Sequence, residues 1–230
     1  MRPAATIPIA IVAAGIIIAA AVYVTVSKNH GAAAVADNPG LIRPVESSDH
    51  IFGNPAAPVK IIEYSDFDCA YCKGFNDTLH EVIATEGANG SVAWVFREFP
   101  LTQVHPASLK LAEAAECAAT VGGNGAFWKF ADTLFANQPV SPSDFGALAA
   151  AVGLSGSAFA SCYANASSTV DARIKADSSN ALSMGAHGTP YSIILAPDQP
   201  PVVMDGAYSY DAVRQLVDAA LAAIASSTAP

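Results

Sequence analysis

Cys69 and Cys72, separated by two residues, offer the clearest chemistry in the sequence. They close the stretch Glu63-Tyr-Ser-Asp-Phe-Asp-Cys-Ala-Tyr-Cys72, in which a β-favouring run gives way to a short polar turn and then to a helix beginning at Cys69. Two thiols on the first turn of a helix can close a small disulfide ring. The unpaired N–H groups and partial positive charge of the helix N-terminus favour thiolate over thiol at Cys69. Cys72, further into the helix, can attack a mixed disulfide formed by Cys69. The spacing therefore reads as a redox-active Cys69–Cys72 pair. Glu63 has two readings: a solvent-facing residue of an alternating strand, or a buried acid beneath the dithiol with a raised pKa, passing a proton to or from Cys72.

The elements that must hold this pair can be read outward from it. Residues 50–55 suit a short edge strand and turn, and 59–64 a central strand. Phe75, Leu79, Val82 and Ile83 recur at helical spacing after Cys72, and Gly87 or Gly90 ends that helix. Residues 91–99 form a second buried strand stopped by Pro100, so strand, helix and strand imply a parallel pair with a crossover helix. Five helices are expected next, near 106–119, 124–136, from 141–144, 155–165 and 169–184. Their aromatics, Phe127, Trp128, Phe130 and Phe135, fall on helical faces and read as core. Gly188-Thr189-Pro190 then precedes a strand at 191–195, a short partner at 202–204 and a last helix near 210–225. The sum is an α/β domain.

Composition excludes one class of function and adds a location. With 11 Lys+Arg against 20 Asp+Glu the chain has no basic stripe for nucleic acid. Residues 7–26 are almost wholly apolar, long enough to span a bilayer and longer than the core of a cleavable signal. Residues 1–28 are accordingly expected as a transmembrane signal-anchor, although Ala32-Ala33-Ala34 and Ala34-Val35-Ala36 also offer small-residue cleavage sites. Residues 29–49, with Gly31, Pro39, Gly40 and Pro44 and no period, read as a flexible tether. Cys117 and Cys162 fall on helices, and in an oxidising compartment they are expected to form a structural disulfide. His30, His50, His80 and His105 read as surface or loop residues.

Three strings together resemble the DsbA-like thiol–disulfide oxidoreductases of the thioredoxin superfamily: Cys69-Ala-Tyr-Cys72 behind a strand carrying Glu63, Phe96-Arg-Glu-Phe-Pro-Leu101, and Gly188-Thr-Pro190 before a strand. The likeness runs from about Ile51 to the C-terminus. It implies a thioredoxin fold over 50–226, with a helical insertion (about 106–186) between the second strand and the cis-proline strand. It further implies Cys69 as nucleophile, Cys72 as resolving thiol, Pro190 as the cis-proline beside the disulfide, and Glu63 as the family's buried acid. Backbone of Thr189 would pair with an extended substrate. No cofactor and no metal are implied.

Two departures qualify the resemblance. Ala70-Tyr71 replaces the Pro-His of the strongest oxidants, which removes one source of thiolate stabilisation and makes Tyr71 a candidate modulator. Tyr71 and the Thr189-Pro190 pair look like isomerase-type relatives, yet only a tether stands where those carry a dimerisation domain. His187, three residues before Pro190, is expected near the Cys69 sulfur as a second modulator. The expected protein is a monomeric, membrane-tethered, extracytoplasmic oxidoreductase that forms disulfides in exported proteins and is reset by a membrane redox partner. Reductase or isomerase action on the same fold is the alternative. Two readings of other classes are a structural staple and a metal-binding module, the latter with His105 or His187 completing a Cys69/Cys72 set.

Overall fold

The computed structural model describes residues 33–36 and 39–227. The apolar run at 7–26 lies outside them; among the described residues no helix is long and apolar enough to cross a membrane. The strands are β1 (Ala34–Val35), β2 (His50–Gly53), β3 (Val59–Ser65), β4 (Val92–Glu98), β5 (Tyr191–Leu195) and β6 (Val202–Asp205). The helices are α1 (Ala70–Thr85), α2 (Ser108–Gly122), α3 (Asn124–Ala136), α4 (Phe145–Ala151), α5 (Gly156–Ala164), α6 (Ala166–Thr169), α7 (Asp171–Ser183) and α8 (Tyr210–Ser227).

One sheet has the order β1-β6-β5-β3-β4-β2, with β3 and β4 parallel and the other neighbours antiparallel. The parallel pair needs a crossover, and α1 supplies it. Central β3 is buried on both faces, and its alternation sorts side chains between two cores. Val59 and Ile61 join Phe75, Leu79 and Val82 of α1, Val213 and Val217 of α8, and Trp94 and Phe96 of β4. Ile62 and Tyr64 turn the other way, to Ala93, Val95, Ile193 and Ala181 of α7. Glu63 and Ser65 share the parity of Ile61 and so lie under α1, the helix that begins just after Cys69.

The insertion follows the expected helices closely, with one change. A further single turn, α6, stands between the expected fourth and fifth helices, and the fifth, α7, begins at Asp171. Cys117 of α2 and Cys162 of α5 form a disulfide with a sequence separation of 45. A loop of that length corresponds to about 4 kcal/mol of stabilisation in the chain-entropy account.

The stretch expected as a flexible tether is instead built into the domain over much of its length. Ala34 and Val35 pair with Val203 and Val202. Residues 41–49 are held by a buried polar knot rather than by apolar period. Arg97, fully buried on β4, donates from Nε and Nη2 to the two carboxylate oxygens of Asp49 (3.2 and 3.1 Å). It also donates to the Tyr64 hydroxyl (2.9 Å) and to the carbonyls of Arg43 and Pro44 (3.1 and 2.9 Å). Arg43 in turn donates to Asp177 of α7, and Asn180 donates to the Leu41 carbonyl. A bidentate guanidinium–carboxylate pair satisfies both groups, which burial requires. His50, expected at the surface, is another correction: it is buried, 3.0 Å from Glu116 and stacked on Phe127 with ring centroids 3.5 Å apart.

Removing one partner of a buried pair leaves the other charge uncompensated, at a cost of roughly 3–5 kcal/mol. Asp49→Ala is therefore expected to lower the unfolding free energy by about 3 kcal/mol, read from the urea midpoint at constant slope. A loss below about 1 kcal/mol would show that the knot is a surface ornament.

Candidate active site

The polar turn between β3 and α1 is held by its own first residue. Asp66 is buried; its Oδ1 accepts from the Asp68 N–H (2.9 Å) and its carbonyl from the Cys69 N–H (3.1 Å). Its Oδ2 reaches across to the β4–α2 connection, accepting from the Leu101 N–H (2.8 Å) and bonding His105 Nδ1 (2.9 Å). From the end of α3, Gln138 Nε2 donates to the carbonyls of Phe67 (2.6 Å) and Cys69 (3.3 Å). The entry to α1 is thus fixed from three sides. Neither Asp66 nor Gln138 stood out in the sequence, although an Asx turn two residues before a helix is a readable signal for the first.

Cys69 occupies the N-cap position of α1 in extended conformation, and its side chain makes no cap hydrogen bond. The two cysteines are free thiols. Thr189–Pro190 is cis, and the Thr189 carbonyl lies 3.5 Å from Cys69 Sγ. Cys72 is fully buried against Phe75 and the sheet, while Cys69 keeps a small opening to solvent. Tyr71, between them, is 74% exposed.

Burial and hydrogen bonding drive the two thiols apart. The hydrogen bond from the Cys72 thiol lowers the Cys69 pKa most; partial burial opposes it, and Thr189 and the N–H groups of Cys72 and Tyr71 add to the lowering, leaving it at about 5. Cys72 is raised well above the ordinary thiol value, chiefly by desolvation, then by its bond to Cys69 and by the charge of Glu63. The dithiol therefore shares its first proton unequally: Cys69 is the thiolate and Cys72 holds the proton.

Glu63 is fully buried beneath them. Desolvation raises its pKa to about 8, although Ser65 Oγ donates to Oε1 at 2.8 Å. The strand neighbours opposite Glu63 are Phe96 and Ser192, so the sheet supplies no cation to it. Of the two sequence readings, the structure has the buried one.

His187 does not join this group. It is exposed and faces a cavity of about 510 Å³ shared with Val35, Met184, Tyr191 and Asp205. The histidine whose charge interacts with Cys69 is His105. Burial alone would lower its pKa, but the hydrogen bond and charge of Asp66, with smaller effects from Cys69 and Asp68, hold it above the ordinary value. Among the described residues no three His, Cys, Asp or Glu side chains are grouped to hold a metal ion. His105 Nδ1 is bonded to Asp66.

Two outcomes test the electrostatics. Thiolate absorbance and alkylation of the reduced protein are expected to give one transition near pH 5, with label on Cys69 alone. A midpoint above pH 8 would remove the asymmetry. The second concerns stability. Glu63 has an ordinary pKa of 4.5 in the unfolded chain and about 8 in the fold. Between those values the folded state keeps a proton that the unfolded state has lost, so stability falls as pH rises, on the order of a few kcal/mol by pH 8. Glu63→Gln is expected to remove that part of the slope in urea unfolding across this range; an unchanged slope would locate the titration elsewhere.

The thioredoxin family model matches residues 46–219. Among solved structures, the fold is similar to that of alpha-DsbA1 of Wolbachia pipientis, at 20% identity and a TM-score of 0.68 over 83% of this chain and 98% of that one. It is also similar to oxidised BdbD of Bacillus subtilis, at 23% identity and a TM-score of 0.63 over 83% and 97%. Among curated sequences, Na(+)/H(+) antiporter NhaA 1 of Mycolicibacterium gilvum is 34% identical over 152 residues, which is 65% of this chain. The chain spans 24% of that antiporter's length. With the family model matched from before β2 into α8, and the strand order, insertion and Cys-x-x-Cys helix all in place, the chain belongs to the thioredoxin family and has the DsbA-like form of its fold.

Proposed function

We propose that the protein is an extracytoplasmic thiol–disulfide oxidoreductase that forms disulfides in exported proteins, with Cys69 as nucleophile and Cys72 as resolving thiol. The observation that carries this reading is the division of pKa between the two sulfurs, with Cys69 held at about 5 and Cys72 pushed up by burial. A low-pKa Cys69 is a good leaving group, so a mixed disulfide through it collapses readily when a second substrate thiol attacks. Stabilising the thiolate also stabilises the reduced form, which makes the disulfide form an oxidant. The absence of a histidine between the cysteines restrains that effect, and the pair is a moderate oxidant.

The substrate side of the reading rests on what surrounds Cys69. The Thr189 carbonyl, 3.5 Å from the Cys69 sulfur, would pair with an extended peptide, and its position beside the nucleophile supports that reading. Tyr71 and Val104 are large apolar side chains left 74% and 66% exposed, and Val104 lies on the connection that Asp66 ties to the α1 turn. Such a rim suits unfolded chains, whose apolar segments are still accessible. Pro190, Thr189 and Glu63 complete the proposed catalytic set. A membrane redox partner returns the pair to its disulfide.

The location is part of the proposal. Residues 7–26 act as a signal-anchor that holds a monomeric domain on the outer side of the membrane. The Cys117–Cys162 bond supports an oxidising compartment, since such bonds persist there.

The full chain should oxidise a reduced four-cysteine substrate faster than it recovers a scrambled version of the same substrate. Cys69→Ser should abolish both activities. Faster recovery of the scrambled substrate, or a reduction potential as low as that of thioredoxin, would replace oxidation with isomerisation or reduction.

A further inference from the structure

Oxidising a substrate requires a proton at a place that water does not reach. When a substrate thiolate attacks Cys69, the Cys69–Cys72 bond breaks and its electron pair goes to Cys72 Sγ. That sulfur is fully buried and strongly favours the protonated state. Cys69 faces the opening and is of no help, because it is bonded to substrate at that moment. The proton has to come from within the protein.

Ser65 is in position to deliver it. It is the last residue of β3, fully buried, and on the face that carries Ile61 and Glu63. Its Oγ donates to Glu63 Oε1 at 2.8 Å, and the same hydroxyl lies near enough to Cys72 to lower the pKa of that thiol against the pull of burial. The other oxygen of Glu63 has no partner within hydrogen-bond distance, and the one further donor acting on the carboxyl group, Trp94, lowers its pKa as Ser65 does but carries no proton it can relay. Across the strand pairings Glu63 meets Phe96 and Ser192, neither of them an acid or base. The backbone N–H of Phe99 closes the end of the strand on the Ser65 carbonyl, which fixes the residue without using its hydroxyl.

On the oxidoreductase reading given above, we propose that Ser65 is the proton-relay residue between Glu63 and Cys72. As the Cys69–Cys72 bond opens, the Ser65 hydroxyl gives its proton to Cys72 Sγ and takes one from the Glu63 carboxyl group. Glu63 is left as a carboxylate and Cys72 as a thiol. The second substrate thiolate then attacks the substrate sulfur of the mixed disulfide, and Cys69 departs as a thiolate. The substrate dithiol has lost two electrons and the Cys69–Cys72 pair has gained them. When a redox partner restores the disulfide, the proton returns from Cys72 through Ser65 to Glu63. The hydroxyl is both donor and acceptor, which a relay needs and which no other side chain at this position in the strand would combine with so small a volume.

The test is stopped-flow opening of the disulfide form of the full chain by dithiothreitol from pH 6 to 10, with rates expressed per thiolate. In the parent the rate is expected to fall as pH rises through the titration of Glu63, which burial holds above the ordinary carboxyl range and which the charge of Cys69 no longer raises in the disulfide form. Ser65→Ala and Glu63→Gln should each slow opening by roughly a hundredfold at neutral pH and abolish the fall. The double variant should be no slower than either single one, because both lie on one path. Ser65→Thr, which keeps the hydroxyl, should retain the parental profile and separates loss of the relay from loss of packing. A Ser65→Ala profile that follows the parent, multiplying effects in the double variant, or loss in Ser65→Thr equal to that in Ser65→Ala would each overturn the relay. A parent that exchanges no disulfides with either dithiothreitol or a protein substrate would instead overturn the oxidoreductase reading.

Discussion

Unequal access to water is the constraint on which the site depends. Cys69 and Cys72 are three residues apart on one helix, yet the first sits at its open end and the second beneath its first turn. An anion at the helix N-terminus is stabilised by N–H groups that have no other partner, whereas an anion one turn in is stabilised by little. The fold amplifies this difference by placing Glu63 under Cys72. A buried carboxyl group with no cation beside it stays neutral at physiological pH, so the interior around Cys72 offers a proton rather than a countercharge.

Maintaining that difference requires the α1 turn to stay in place, and several distant pieces of chain do so. Asp66 ties the turn to the β4–α2 connection, and Gln138 ties it to the end of α3. The aromatic cluster of Phe67, Phe96, Phe127 and Phe135 fills the space behind it, with Phe67 stacked on Phe96 at 5.0 Å. The insertion is therefore part of the support for the turn, besides being an added lobe. The disulfide between α2 and α5 ties two helices of the insertion together.

What could be read from sequence divides along the same line between local and distant. The Cys-x-x-Cys pair, its strand and its helix were legible because turn chemistry and periodicity act over a few residues. Glu63 was ambiguous because alternation gives a side and says nothing of what covers that side; α1 and α8 decide it. The role of residues 41–49 was not legible at all. Arg43, Asp49, Tyr64, Arg97, Asp177 and Asn180 are scattered over most of the chain, and their fit is a matter of tertiary geometry. His187 was placed near Cys69 on sequence distance from Pro190. The connection before Pro190 turns it outward, and His105 approaches instead from the far side of the Asp66 clasp.

The alternation of β3 has a consequence for how such a protein can change over evolutionary time. One strand serves two masters: Glu63 and Ser65 point to the redox pair, and Ile62 and Tyr64 point to the core that the Arg97 knot closes. Substitutions at the first set alter the chemistry and leave the second core intact, and substitutions at the second set alter stability and leave the proton path intact. The two properties can drift independently although their determinants are interleaved residue by residue. A single insertion or deletion within the strand would exchange the two faces and abolish both properties at once. An exchange of one residue therefore touches one property, whereas a change in the strand's length or phase touches both.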